Sequence, residues 1–244
     1  MMPARSGVLY VRASLRPFAA EIREKGGVRE FLASHFPHEE LLAPYFLRAR
    51  PFWERPATGG QPTNSGALGK ELAKYAGAVF SAHPSHRFVG FGGRVEKVLR
   101  AHDQSQACFY PVRALAAGAD FSMLLLACCE ESPGFSTVHA TQYQLGLSQR
   151  HLFRHLLRWD IAGPDGMTSV RPPESPGCSL SFGKFYAAYE ADGNLVRGVL
   201  QGQQYLLVPS AARALQVEER ILAGNPRFVD CGRFGCSTCS LRLY

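Results

Sequence analysis

Apolar positions fall in short runs separated by glycine, proline and polar clusters, and the spacing within each run sets the expected element. "GVLYVRASL" (7–15) is rich in β-branched and aromatic residues and reads as a strand. A helical stretch over 18–35 follows, interrupted at Gly26-Gly27, and "ELLAPYF" (40–46) reads as a second buried strand. Residues 47–65, rich in Pro, Gly and Thr, read as a long loop. "SGALGKELAKY" (65–75) predicts a helix with Ser65 as N-cap and Leu68, Leu72 and Tyr75 on one face. "GAVFSAHP" predicts a short strand entering a turn, and "RVEKVLRAH" (94–102) a compact helix. "DFSMLLLACC" (120–129) carries an apolar run from Met123 to Cys129, the pattern of a strand buried on both faces. "SPGFSTVHATQYQLGL" predicts a turn leading into a helix, and 160–178 a Pro/Gly-rich loop. A strand-like segment, a helix over 209–223 and a cysteine-bearing tail close the chain. No internal repeat is visible, and strands alternating with helices predict one α/β domain with a largely parallel or mixed sheet.

Composition narrows the function classes. The 244 residues are 46% hydrophobic, which describes an ordinary globule with room for a substantial core. The 27 basic and 20 acidic residues give a net charge of +7, but the basic residues are scattered and form no run. That balance suits an anionic small molecule. A nucleic-acid-binding protein is a weaker reading, because no binding motif or aromatic-basic stripe accompanies the charge. No apolar run reaches membrane-span length, and the opening "MMPARSGVLYVRASL" is too short and too soon charged for a signal peptide, so a cytoplasmic protein without a membrane partner is expected. Seven cysteines, an odd number, argue against a secreted disulfide framework.

Three groups of residues invite chemistry. His139 follows Ser136 by three, so with Ser136 as N-cap it lies in the first helical turn. There the positive end of the helix dipole disfavours imidazolium and keeps the ring neutral, the state a general base needs. Gln142 and Tyr143, three and four residues on, share its face. The same spacing also suits a histidine that only packs or caps. His83 and His86 form H-x-x-H on a proline-containing turn without helical register or a carboxylate cluster, a poor metal pattern. In the tail, Cys231, Cys236 and Cys239 give C-x4-C-x2-C, three thiolates that fit part of a zinc or iron–sulfur site. A fourth ligand is missing from the run; His151, His155 and Cys178 are candidates elsewhere. The bland alternative is a bent terminal strand with reduced cysteines. Cys108 and the pair Cys128-Cys129 read as core residues.

"TNSGALGKELAKYAGAVFSAHPSHRFVGFGGRVEKVLRAH" resembles the signature region of the aminoglycoside 3-N-acetyltransferase family, with its Thr-Pro-Ser-x-x-Gly helix start, Arg-Ser-x-His-Pro-x-x-Ser turn and helix ending in His. "LYVRASL" resembles the family's Val-His-Ser-Ser-Leu, and "ELLAPYF" its Thr-Leu-x-x-Pro-Thr-Phe strand. "MLLLACCEESPGFSTVHATQY" resembles Leu-Leu-Leu-Gly followed by Asn-Thr-x-x-His-x-x-Glu, and "ILAGNPRFVDC" the closing segment. The order holds over about residues 7–230. The resemblance implies a single three-layer α/β/α domain with a mixed central sheet over 1–230, followed by a cysteine-rich tail, 231–244. It implies acetyl-coenzyme A as donor and direct acetyl transfer to an amine, with His139 as base and Gln142 beside it. It also implies a cofactor cleft bordered by Ser14, Ser81 and His83, with Arg12 or Arg87 facing the phosphates.

The chain departs from that pattern in informative places. Gln142 replaces the glutamate, Phe80 the arginine before Ser81, Arg87 the serine after His-Pro, and Arg12-Ala13 the His-Ser pair, leaving only Ser14. The stretch before the Thr-Pro-Ser motif carries "RPATGGQPTNS" and no aspartates, with Glu54 the nearest acid. A chain of net charge +7 is a poor electrostatic match for a polycation. The expected acceptor is therefore an amine on a small molecule or peptide-like metabolite and not a polycationic aminoglycoside. The alternative expectation is a catalytically silent relative that binds a ligand or partner protein.

Overall fold

The computed structural model describes residues 7–55, 63–118, 120–163 and 166–244. Ten strands are present among them: β1 (Val8–Ala13), β2 (Glu40–Pro44), β3 (Arg50–Pro51), β4 (Val79–Phe80), β5 (Phe88–Phe91), β6 (Phe121–Leu126), β7 (Leu157–Gly163), β8 (Gly166–Val170), β9 (Val196–Leu200) and β10 (Gln203–Val208). The helices are α1 (Ala19–Glu24), α2 (Val28–His35), α3 (Ala67–Leu72), α4 (Gly93–Arg100), α5 (Tyr110–Ala116), α6 (Thr137–Gln144), α7 (Tyr186–Ala191), α8 (Ala211–Gly224) and α9 (Ser237–Ser240). The main sheet has seven strands in the order β4-β5-β2-β1-β6-β10-β9, and β3-β7-β8 form a small second sheet.

Alternation along the central strands divides the core. Val8, Tyr10, Leu42, Met123, Leu125 and Leu206 face one helical layer, formed by α4 to α8. Their neighbours Leu9, Val11, Leu41, Leu124, Leu126 and Leu207 face the other, formed by α1 to α3. A two-residue side-chain period buried on both sides requires helices on both sides, and the result is the expected three-layer α/β/α arrangement with a mixed sheet. β1 lies between β2 and β6, parallel to both, while the outer pairings are antiparallel. The carboxyl ends of these parallel strands therefore open together, at Ala13, Pro44 and Leu126. In open α/β sheets, ligands bind where the strand order diverges in this way. Ala127, just past β6, has φ +52°, a sterically costly conformation for alanine that turns the chain away from the sheet.

Several local expectations need correction. The segment 160–178 is not all loop: β7 and β8 pair as an antiparallel hairpin from Trp159↔Val170 to Gly163↔Gly166. A buried ion pair ties it to β3, with Arg50 Nε and Nη2 each 2.8 Å from a carboxylate oxygen of Asp160. Ser65 does not cap α3. Its Oγ accepts the Phe46 N–H, and Gly66 occupies the cap position without a side-chain bond. Ser136 sits at the N-cap of α6, but its hydroxyl pairs with Tyr10 Oη at 2.8 Å and makes no capping bond. The break at Gly26-Gly27 is as expected: Gly26 has φ +87°, which stops α1 before α2 begins. α5 and α7 carried no clear sequence signal. No described helix is long and apolar enough to cross a membrane.

Candidate active site

α6 is held from behind by a buried carboxylate. Glu218 of α8 accepts hydrogen bonds from Thr137, from Tyr189 and, at 2.7 Å, from Thr141. Thr137 and Thr141 are four apart and share a helix face, so this anchor fixes the rotation of α6. Burial pushes the Glu218 carboxyl up to about 7, opposed by the three hydroxyl donors.

His139 is thereby aimed into a narrow, well-packed slot. Its ring stacks on Phe109 at 4.6 Å and 23°, and Phe182 meets it edge-on at 4.6 Å. Nδ1 lies 3.0 Å from Gln142 Oε1 and 3.2 Å from the Pro176 carbonyl. A main-chain carbonyl only accepts, so Nδ1 carries the proton and Nε2 keeps its lone pair. Nε2 has no hydrogen-bond partner among the described residues. Burial lowers the His139 pKa to about 3, the Gln142 bond partly opposes this, and the charges of Arg12 and Arg242 lower it further. The ring is therefore neutral near pH 7. The neighbouring Gln142 Nε2 is buried without an acceptor, a cost that a carboxylate at this position would not carry in the same form.

Arg12, near the carboxyl end of β1, donates to the Gly134 carbonyl at 3.0 Å and to Ser132 Oγ, tying down the loop that leads into α6. Ser14 is half-buried just beyond the same strand, and its hydroxyl has no partner among the described residues. Leu15 and Arg16, which follow it, open onto a groove of ≈ 860 Å³ that also exposes Arg23, Lys74 and Tyr75.

The His-Pro turn forms a second cluster. Ser81 Oγ accepts the Phe88 N–H at 3.0 Å, and His83 Nδ1 accepts the N–H groups of Ser85 and His86 at 3.2 and 3.0 Å. Both side chains are buried, and His83 stacks on His102 at 4.7 Å. These two residues shape the turn from within. His83 and His86, 6.0 Å apart and nearly perpendicular, do not converge on a common metal position. Arg87 is half-buried with only Nε engaged, by the His83 carbonyl at 3.1 Å, so its two Nη groups are unpaired among the described residues. Phe109 joins the clusters by contacting both His86 and His139.

Two features had no sequence signal, and a third, His151, stood out there only as a candidate metal ligand. Pro176 supplies the second acceptor for His139 from a loop whose composition says only "turn". Arg242 comes from the tail. It is buried, its Nη1 is 3.6 Å from Asp230, and both Nη atoms lack a hydrogen bond. His151 Nδ1 accepts the Phe153 N–H, which makes its orphaned Nε2 a donor as well. Both groups crowd Gly177 (φ +86°), where an added Cβ would lie 2.6 Å from Arg242 Nη2 and 3.3 Å from His151 Nε2. Three buried donors without acceptors thus gather one residue from Pro176.

Solved aminoglycoside acetyltransferases share this architecture. The AAC(3)-IVa apoenzyme superposes with a TM-score of 0.71 over 96% of this chain and 89% of that one, at 18% identity. The chain has the aminoglycoside 3-N-acetyltransferase fold. AAC(3)-Xa matches with a TM-score of 0.68 at 16% identity, covering 91% of this chain and 87% of that one. AAC-IIIb, solved as a binary complex with CoASH, gives 0.65 at 15% identity over 91% of each chain. No protein-family model matches the sequence, and no curated protein matches it. Within this fold, α6 and its histidine are the next helix after β6, which pairs in parallel with the central strand β1.

Proposed function

We propose that the chain is an acetyl-coenzyme A-dependent N-acetyltransferase acting on an amine of a small molecule or peptide-like metabolite. The observation that carries this reading is His139: a neutral imidazole with Nδ1 committed to two acceptors and Nε2 left to take a proton. Acetyl-coenzyme A would supply an acetyl thioester reactive toward amines. Its candidate contacts are Ser14 and Arg87, which have unpaired hydroxyl and guanidinium donors, with Arg12 adding positive charge beside the α6 loop. Ser81 and His83 support this wall from beneath, because both are buried. As the amine nitrogen attacks the thioester carbon, His139 Nε2 accepts its proton, and the Pro176 carbonyl and Gln142 amide oxygen stabilise the imidazolium through Nδ1–H. The C–N bond forms, the C–S bond breaks, and His139 returns the proton to the departing coenzyme A thiolate. Such a base contributes a factor of about 10² to 10⁴ in rate.

The acceptor's charge follows from the surroundings. Arg12, Arg87 and Arg242 bring cations to this region, and Glu54 is already paired with Arg48 at 2.8 Å. The donors of Arg242 and His151 that make no hydrogen bond suit a carboxylate or another anionic group, and a polycation would meet repulsion. A second reading, a binding protein without turnover, draws on the neutral Gln142 and the low basicity of His139. Calorimetric titration with coenzyme A tests the donor half of the proposal. Saturable binding is expected, weakened by about tenfold in Arg87→Ala through loss of a charged hydrogen bond. Absence of both heat and thermal shift at millimolar coenzyme A would overturn it.

A further inference from the structure

The tail cysteines acquire a fourth partner in the fold. Cys178 lies 53 residues before Cys231 in sequence, yet its Sγ and those of Cys231, Cys236 and Cys239 all fall within 4.8 Å of one another. Contacts that do not involve the thiols create this proximity. Ser181 Oγ donates to the Val229 carbonyl at 2.5 Å, and Lys184 Nζ donates to the Asp230 carbonyl at 2.7 Å. These bonds bind the segment before Cys231 to the segment after Cys178. Farther along the tail, the Leu152 N–H donates to the Leu241 carbonyl at 2.8 Å, and His151 and Arg242 form a β-bridge. The four sulfurs are thus brought together by a docked tail.

From this geometry we infer that Cys178, Cys231, Cys236 and Cys239 form a mononuclear tetrahedral zinc site. Zinc–thiolate bonds of about 2.3 Å set sulfur–sulfur edges of about 3.8 Å in a tetrahedron. The Cys231–Cys239 separation of 3.6 Å is close to that edge, and the 4.8 Å limit on every pair leaves room for one ion among the four. An iron–sulfur cluster places its thiolates on different irons and needs wider spacing. All four thiols are free, so none is committed to a disulfide. The Leu180 N–H donates to Cys178 Sγ at 3.4 Å, a backbone bond of the kind that steadies a thiolate. Four thiols bind one Zn²⁺ with release of four protons to solvent, and the Zn–S bonds replace the S–H bonds without change of oxidation state. With four protein ligands the coordination sphere is closed, so the ion is structural. It staples the tail to the loop carrying Pro176, two residues before Cys178, and so fixes the carbonyl that accepts the His139 proton.

The test does not depend on acetyl transfer. Full-length protein purified without chelator is assayed for metals, then its cysteines are titrated with a mercurial in the presence of a zinc indicator. The expectation is near-stoichiometric zinc, released as the thiols are modified, and a melting temperature lowered by several degrees on its loss. Cys178→Ser and Cys236→Ser should lose zinc equally, and cobalt(II)-exchanged protein should show the intense visible bands of a tetrahedral thiolate centre. If either variant fails to fold, the metal content and cobalt spectrum of the unaltered protein still decide. Metal-free protein with four freely alkylated thiols, near-stoichiometric iron, or a Cys178→Ser variant that retains full zinc would each overturn the site.

Discussion

Acid should unfold this protein well above the range where carboxylates protonate. Five of the eight histidines, four buried and His86 half-buried, are held neutral, each with its pKa lowered from 6.5 mainly by desolvation: His83 to about 2, His86 and His139 to about 3, His102 and His151 to about 4. Between 6.5 and those values, the unfolded chain binds protons that the folded chain refuses. The stabilisation is therefore complete above the unfolded pKa and is lost as pH falls toward the folded ones. Lowering the pH from about 7.5 to about 5.5 costs about 1.4 kcal/mol per histidine, or about 7 kcal/mol for five. Glu218 works in the opposite sense. Its carboxyl is raised to about 7, so its contribution is full below the unfolded value and is lost as pH rises through 7, which returns about 2 kcal/mol over the same interval. The net loss of about 5 kcal/mol is comparable to the whole stability of an ordinary domain. Urea unfolding at the two pH values, followed by fluorescence, measures it directly. Glu218→Gln provides a control: the acid-induced loss should steepen by about 2 kcal/mol, because the opposing ionisation is gone. Stability at about pH 5.5 within 1 kcal/mol of that at about pH 7.5 would refute the buried-histidine account.

Other perturbations follow from the same contacts. Gln142→Glu places a carboxylate beside His139 Nδ1, so the acidic limb of the pH–rate profile should move upward and turnover should hold or rise; a tenfold fall in kcat with unchanged folding would contradict the role given to this position. Asp160→Ala strands the buried Arg50 guanidinium, with side-chain exposure of only 8%, and should cost about 3–5 kcal/mol in chemical denaturation. Arg242→Met removes a buried guanidinium whose Nη atoms make no hydrogen bond and which is only loosely ion-paired, at 3.6 Å, with Asp230. KM for an anionic amine should therefore rise while that for a neutral analogue changes little; equal effects on both would count against an anion site near Gly177.

The parts of the fold visible in the sequence were those whose side chains meet two helical layers at once. In "DFSMLLLACC" the run from Met123 to Cys129 is unbroken because Met123 and Leu125 face one layer while Leu124 and Leu126 face the other. The β7–β8 hairpin gave no such signal, since β8 is mostly exposed and its Gly-Pro-Asp-Gly connection dominates the composition. Ser136 marked the start of α6 and Ser65 fell one residue short of the α3 cap, and neither makes a capping bond because tertiary partners, Tyr10 Oη and Phe46 N–H, captured their hydroxyls. At the site, helical spacing was enough to join His139 to Gln142. Pro176, Phe109, Phe182 and Arg242 arrive from four separate segments, and proximity set only by the completed fold leaves no local trace. The tail cysteines announced themselves by spacing, whereas Cys178, one candidate among three, was singled out only when the tail docked.

The most direct test of the central claim is acetyl transfer itself, followed by mass spectrometry of a panel of small amines and short peptides incubated with acetyl-coenzyme A. The account predicts a product heavier by one acetyl group and dependent on the protein. It also predicts a fall in kcat of about a hundredfold or more in His139→Ala, with coenzyme A affinity nearly unchanged. A stable His139→Ala protein that turns over at the wild-type rate would contradict it.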